Sequence, residues 1–550
     1  MTQADKQYNE LVKDISRNGS WNKDQDIRAK YADGIPAYAK SIFGKQIEFR
    51  NGLMPLVTGK KVFTTTATKE MMLFWVLQTI QEKDFKDAKV KIWDEWFKNG
   101  NLGRSYAYQF ESHRHHIREI IKVKPRIKEH HGELKSIILE SKDEVNLSCS
   151  DENVGKTIES KNYGSFQVLD VFPSGVYFDG IQAFKIKFSN TNAVRIVRKY
   201  DALKGEVQDF FVRNIRGVGY LGNHKSVRNY TDDQMKKLYV VWENMLSRCY
   251  KNDNYGRYKD NGIFVDERWH SFENFLRDIR WIPQFFLAKE NNFEGWSIDK
   301  DYYGSNSYSI DTTVWLTQKE NKWYRNISKP FYAMDKDGNR KLFLTTTECA
   351  KDLGLANSAP ITSCLNKKPH RKSAAGHTFE YLQDNEHLYR YELSRNQVVD
   401  LINGIKNNPS SNRLLTSFWN HADVDKKALQ ECAHMTNWNV REGKLDLILI
   451  QRSADIGLGV CFNWIQYWIL LQMISHVCGL EPGDFVHQVA NIHYYDRHEN
   501  ILMEQLKNPI YEEPIFHINK DVQDFFDFIP SDIKFEGYQS GPYMHMEVAI

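Results

Sequence analysis

Hydrophobic and polar positions alternate along this chain in three textures. Near the start, Tyr8, Leu11, Val12 and Ile15 recur at helical spacing and predict a helix over 8–15, and the apolar run from Thr68 to Ile80 predicts a second, buried one. From Glu111 the pattern breaks into a His- and Lys-rich stretch, ESHRHHIREIIKVKPRIKEHH, and from Tyr163 into short alternating runs, FQVLDVF and AFKIKF, which predict strands. Residues 234–250 and 271–280 have the spacing of amphipathic helices, and the Lys/Asn-rich stretch 319–329 reads as a linker. From Asn396 the first texture resumes with the helix QVVDLINGIKN, the turn NNPSSN and strands separated by charged turns. The pattern therefore predicts one frame, residues 1–110 and 396–550, interrupted by an insert.

Length and composition sharpen this division. A chain of 550 residues exceeds what one core usually organises, and 41% hydrophobic with 26% charged residues excludes a disordered chain. No apolar run approaches the roughly 20 residues needed to span a bilayer and no secretory pattern opens the sequence, so a soluble, cytoplasmic protein without membrane contact is expected. Seven cysteines without CxxC spacing argue against a disulfide framework or a structural zinc site. Residues 111–395 carry 45 Lys and Arg against 38 Asp and Glu, while the outer pieces are slightly acidic. A basic middle in an acidic frame points to different partners for the two.

Chemistry concentrates in the outer pieces. ALQECAHMTNWNV sets Cys432 in a short apolar and polar run, followed about twenty residues later by QRSADIGLG. A reactive thiol needs positive charge nearby to lower its pKa from about 8.5, and Arg452 is the candidate neighbour.

With DIRAKY, PLVTGKK, KEMMLFW, IWDEW, RSYAYQ, NNPSSNR, LGVCFN, NIHYYDRH and the final VAI, in order across both outer pieces, the frame resembles the thymidylate synthase family. The resemblance implies an α/β (α+β) fold assembled from two discontinuous segments. It also implies reductive methylation of dUMP to dTMP with 5,10-methylenetetrahydrofolate, in which Cys432 adds to C6 of the base, Glu70 manages proton transfers through water and Tyr106 lies near the reacting carbon. Arg28, Arg413 and Arg452 with Ser453 would hold the phosphate, Asn463 would read the uracil edge, and His493 with Tyr495 would hold the ribose hydroxyl. Trp93 and Asp455 would contact the pterin, and the carboxylate of Ile550 would close the site. One arginine pair of the family comes from the neighbouring subunit, so Arg413 implies a homodimer.

Departures from the family pattern are Glu431, where proline usually precedes the nucleophile, Asn412 in place of a second arginine, Ala433 after the nucleophile, and Cys461 where proline is usual. Glu431 is expected to raise the thiol pKa and to repel phosphate. Two alternatives stand beside methylation: dUMP hydroxymethylation, and a DNA-targeting protein with an inactive synthase frame. Trp93 and the VAI terminus favour methylation, since hydride delivery requires shielding from water.

Within the insert, 111–233 reads as a basic segment and a small β module. Residues 234–329 resemble HNH-like homing endonucleases, a ββα-metal fold with Asp299 as the acidic ligand of a divalent ion such as Mg2+. Lys300 stands where a histidine base is expected, with Thr312 and Asn321 at other signature positions, so DNA binding without cleavage is an equal reading. Residues 330–395 resemble a helix-turn-helix module for double-stranded DNA, with Ser358, Thr362, Lys367, Lys368, Arg371 and Lys372 as candidate contacts. The histidines at 113, 115, 116, 130 and 131 read as a solvated segment.

Overall fold

The computed structural model describes residues 2–111, 116–122, 151–250, 262–303, 305–318, 320–321, 331–343, 345–367, 372–382, 386–391 and 395–549. The chain folds as two units, Met1–Arg114 with Leu393–Ile550, and His115–Glu392.

The first unit is built on a six-stranded sheet. Its strands are β1 (Ser20–Trp21), β2 (Ala39–Phe49), β3 (Leu415–Ser417), β4 (Ala433–Arg441), β5 (Lys444–Asp455) and β6 (Glu481–Tyr495), in the order β1-β2-β6-β5-β4-β3. Neighbours are antiparallel except β5 and β6, which run parallel and place Asp455 beside His493. The crossover between those two strands is α4 (Val460–Cys478), apolar on every face and therefore buried, and ended by Gly479 in the left-handed conformation. Helix α1 (Gln3–Asn18) begins at Thr2, whose hydroxyl accepts the Asp5 N–H, and runs well beyond the expected 8–15. Asp5 in turn accepts the backbone N–H groups of Thr58 and Gly59, anchoring PLVTGKK.

Helix α2 (Thr64–Trp75) packs on α4, starting four residues before the expected Thr68 and ending five before Ile80. It stops because the chain turns back, with Gln78 at a positive φ of 51°. The Gln78 amide and Glu111 are both hydrogen-bonded to Asn396, which also caps α3 (Gln397–Asn407). Glu111 and Asn396 form an isolated antiparallel bridge. The two ends of the frame thus lie side by side, so a long insertion there costs little closure entropy.

Among its described residues the second unit holds three cores. Strands Thr157–Ser160, Gly164–Phe172, Ala183–Phe188 and Val194–Arg198 form an antiparallel meander over Phe166, Phe184 and Phe188. A second core gathers Trp242, Trp269, Phe272 and Trp315 between the helices Asp232–Tyr250 and Phe272–Asp278 and the hairpin of Trp296–Asp299 with Val314–Thr317. The third packs helices Thr346–Asp352 and Ala359–Leu365 on a three-stranded sheet. Strands His116–Lys122 and Glu386–Tyr391 pair antiparallel. The expected linker 319–329 lies largely outside the described residues, as do the histidines at 113, 115, 130 and 131.

Candidate active site

Cys432 sits immediately before β4, where a bulge between Ala433 and Met435 re-aims the strand. The Arg452 N–H donates to the Cys432 carbonyl at 2.8 Å, locking the thiol loop to β5. The Arg452 guanidinium donates to the carbonyls of Glu431 (3.0 Å) and Gln430 (2.9 Å) and lies 3.8 Å from the Cys432 Sγ. Burial nevertheless raises the thiol pKa, with Arg452 opposing and Glu431 adding to the rise. The resting group is a thiol with a cation ready to stabilise its thiolate.

Glu431 does not stand free beside that thiol. Its side chain is fully buried and pairs at 2.6 Å with Lys427, equally buried, which also donates to the Phe418 carbonyl. The other carboxylate oxygen accepts the Tyr106 N–H at 3.0 Å, at a residue held at a φ of 41°. This corrects the expectation that Glu431 repels phosphate: an inward, compensated carboxylate presents no free charge to a ligand, and only its effect on the thiol remains.

A cavity of about 70 Å³ opens between Cys432, Glu70, Tyr106, Asn463, Gln451 and Tyr467. Glu70, on α2, is buried, and its pKa is pushed up to about 8 by desolvation, with hydrogen bonds from Trp93 and Gln466 opposing. Trp93 donates to Glu70 Oε1 at 3.0 Å, while Oε2 has no partner among the described residues. Phe74 stacks on Tyr106 with ring centres 4.9 Å apart, and Trp93 meets Tyr106 edge-on at 5.5 Å. Trp93, expected only as a packing surface for the pterin, is thus also a hydrogen-bond donor that orients Glu70.

The pH dependence of stability should report Glu70. The folded protein holds this proton to about pH 8, whereas the unfolded carboxyl releases it near 4.5. The contribution is full below pH 4.5 and is lost as pH rises to about 8, at about 1.4 kcal/mol per unit. Denaturation at pH 5, 6.5 and 8 should show the parent losing a few kcal/mol relative to Glu70→Gln; parallel curves for the two proteins would contradict this.

At the C-terminal end of β6, His493 and Tyr495 have ring centres 5.1 Å apart. His493 is buried, which lowers its pKa, and its Nδ1 has no hydrogen-bond partner among the described residues. Asp455 accepts the Gly457 N–H at 2.7 Å, and the Ser453 carbonyl accepts from the Gln451 amide at 2.9 Å. Arg28 and Arg413 are both exposed. The Arg413 N–H reaches Ser411 at 3.2 Å, and neither guanidinium joins the cavity of its own chain. Ile550 lies outside the described residues.

Lys427, Gln451, Gln466 and Tyr467 escaped the sequence reading. Gln466 carries a legible signal, one helical turn from Asn463. The pairing of Lys427 with Glu431 carries none, because their meeting across a non-helical turn depends on tertiary packing.

In the second unit, the Asp299 carboxylate is buried and accepts the Tyr302 N–H at 2.8 Å, inside its own turn. Lys300 is buried and pairs with Asp301. Among the described residues no three His, Cys, Asp or Glu side chains gather as a metal site. Thr312 and Asn321 bond within the same fold, to the Ser307 carbonyl and to Ser297. Thr362, Lys367 and Lys372 are exposed, Ser358 begins the second short helix and receives the Thr362 hydroxyl, and Lys368 and Arg371 lie outside the described residues.

The family model of thymidylate synthase matches residues 6–146 and 365–550, running past both expected edges of the frame. Thymidylate synthase of Clostridium beijerinckii is 40% identical over 156 residues, 28% of this chain and 59% of that protein. That of Bacillus licheniformis is 42% identical over 154 residues, 28% of this chain and 55% of the relative. That of Bacillus phage phi3T is 37% identical over 174 residues, 30% and 62% of the two chains. Each match spans a little more than half of the relative's length. A solved thermostable thymidylate synthase A from Bacillus subtilis aligns over the full length of both chains, with a TM-score of 0.47 at 20% identity. Among the described residues no helix is long and apolar enough to cross a membrane.

Proposed function

Because the chain belongs to the thymidylate synthase family, we propose that it methylates dUMP reductively at C5, with Cys432 as nucleophile and 5,10-methylenetetrahydrofolate as co-substrate. The observation that carries this reading is the convergence of Cys432, Glu70, Tyr106 and Asn463 on one cavity, with the thiol 3.8 Å from the Arg452 guanidinium. The Cys432 sulfur bonds to C6 and its proton leaves, so that C5 gains carbanion character. Glu70, its pKa pushed up to about 8, exchanges protons through water as the C5 proton is lost. The folate supplies the methylene carbon and then a hydride, leaving as dihydrofolate, while the C6–sulfur bond breaks. Trp93 and Asp455 are the residues proposed to hold the pterin, and His493 with Tyr495 the ribose. Arg452 and Ser453 would take the phosphate, joined by Arg28 and by Arg413 from a second copy. The exposed position of Arg413 supports the homodimer reading, because a guanidinium outside its own cavity is available to a neighbour's.

For the insert, the exposed Thr362, Lys367 and Lys372 support contact with double-stranded DNA. The enclosure of Asp299 and the presence of Lys300, paired with Asp301, where a histidine base is expected favour binding without cleavage over a Mg2+-dependent nuclease. Retention of duplex DNA in a gel shift without nicking in magnesium is the expected result; nicking that disappears in Asp299→Ala would reverse it.

The synthase reading is tested with [5-³H]dUMP and methylenetetrahydrofolate. Tritium release accompanied by the absorbance rise of dihydrofolate is expected. Release without dihydrofolate would indicate hydroxymethylation, and no release would leave a DNA-targeting protein with an inactive frame.

A further inference from the structure

Asn463 is embedded in a hydrogen-bond chain whose polarity is set far from the cavity. At its inner end Trp464 Nε1–H, which can only donate, points at His487 Nδ1 at 2.9 Å. That nitrogen must accept, so the single proton of the neutral ring sits on Nε2. Both rings are fully buried, and burial pushes the His487 pKa down to about 3, which keeps the ring neutral. Nε2–H then donates to Gln451 Oε1 at 2.8 Å. The Gln451 amide has its nitrogen left for the Ser453 carbonyl, at 2.9 Å, and for Asn463 Oδ1, at 3.2 Å. Asn463 Nδ2 donates to Gln466 Oε1 at 3.1 Å, and the Gln466 nitrogen faces the Ala67 carbonyl at 3.5 Å.

Every amide in this chain is constrained from both ends. Inverting Gln451 would set its NH2 against the His487 N–H and its oxygen against the Ser453 carbonyl. Inverting Asn463 would set its NH2 against the Gln451 amide and its oxygen against Gln466 Oε1. Inverting Gln451 replaces three hydrogen bonds, and inverting Asn463 two, by like-polarity contacts away from bulk water, where unmade hydrogen bonds are expensive. Asn463 is left with one lone pair on Oδ1 and one N–H on Nδ2 for a ligand in the cavity. That pair, in that order, matches a pyrimidine whose ring nitrogen carries a proton and whose neighbouring exocyclic atom is a carbonyl. A base with an unprotonated ring nitrogen and an exocyclic amine needs the opposite order.

We propose that Trp464 and His487 are specificity-determining positioning residues: by locking the His487 tautomer they fix the amide of Asn463 in the orientation that accepts uracil and rejects cytosine nucleotides. The inference rests on the synthase reading and deepens it.

Two measurements test it. Binding of dUMP and dCMP, followed with [5-³H]dUMP turnover, gives the selectivity of the parent and of Trp464→Phe, His487→Phe and His487→Gln. Glutamine at 487 can accept from Trp464 and donate to Gln451, so His487→Gln should keep the dUMP/dCMP ratio within about threefold. Trp464→Phe and His487→Phe should lower it roughly tenfold or more, because a site built on paired hydrogen bonds discriminates only while its polarity holds. An unchanged ratio in these two variants, folded by thermal unfolding, would overturn the inference and leave the synthase reading intact. Should those variants fail to fold, ¹⁵N-histidine spectra of the parent decide: a proton on Nε2 of His487 is expected, and one on Nδ1 overturns the lock. A parent protein that binds neither nucleotide would sink the synthase reading instead.

Discussion

Cys432→Ser should reduce tritium release from [5-³H]dUMP by at least about a thousandfold while dUMP binding stays within a few fold of the parent. A serine hydroxyl is a far weaker acid than a thiol, and the neighbouring cation, Arg452, is already committed to two carbonyls as well as to the sulfur. It cannot supply the stabilisation an alkoxide would need. The non-covalent contacts proposed for the nucleotide, Arg452, Asn463, His493 and Tyr495, are untouched by the exchange. Cys432 is only partly buried and serine is its near isostere, so unfolding should stay where it is. A serine variant that keeps a tenth of the activity would show that another group starts the reaction.

Lys427→Met should destabilise the frame by about 3–5 kcal/mol, as expected when one partner of a buried ion pair is removed and the other remains. Both side chains are fully buried, 2.6 Å apart, and the carboxylate of Glu431 would be left with the Tyr106 N–H as its hydrogen-bond donor. At about 2–4 °C per kcal/mol for a unit of this size, the loss is a shift of roughly ten degrees in the thermal transition of the frame. Activity should fall as well, since an uncompensated carboxylate adjoins Cys432 and opposes its ionisation. The double variant Lys427→Met/Glu431→Gln should recover most of the stability, because neutralising both partners removes the stranded charge. Equal losses in the single and double variants would show that packing, not charge, is what the pair provides.

This pair also shows where sequence reading stops. Glu431 was visible as a departure from the family pattern, and from its position alone a free charge beside the thiol was the physical expectation. Lys427, four residues earlier, gives no helical or strand periodicity that would announce a partner. Only the turn preceding β4, folded under Tyr106, brings the two together. Glu70 behaves differently. Its apolar neighbours Met71, Met72, Leu73 and Phe74 already implied desolvation, but the Trp93 indole that orients it comes from 23 residues further on and is joined to it only by the packing of their segments.

The interruption of the frame, the thiol at the centre of its chemistry, and the pyrimidine nucleotide and folate chemistry to expect are all legible in the order of motifs and the residue types they carry, which do not depend on folding. Tertiary structure decided the charge state around that thiol, the ends of α2, the enclosure of Asp299, and the direction in which the Asn463 amide points. Those depend on burial and on which donor meets which acceptor. Neither is a property of any residue alone, since both arise only when α2, β4, β5, β6 and α4 pack together.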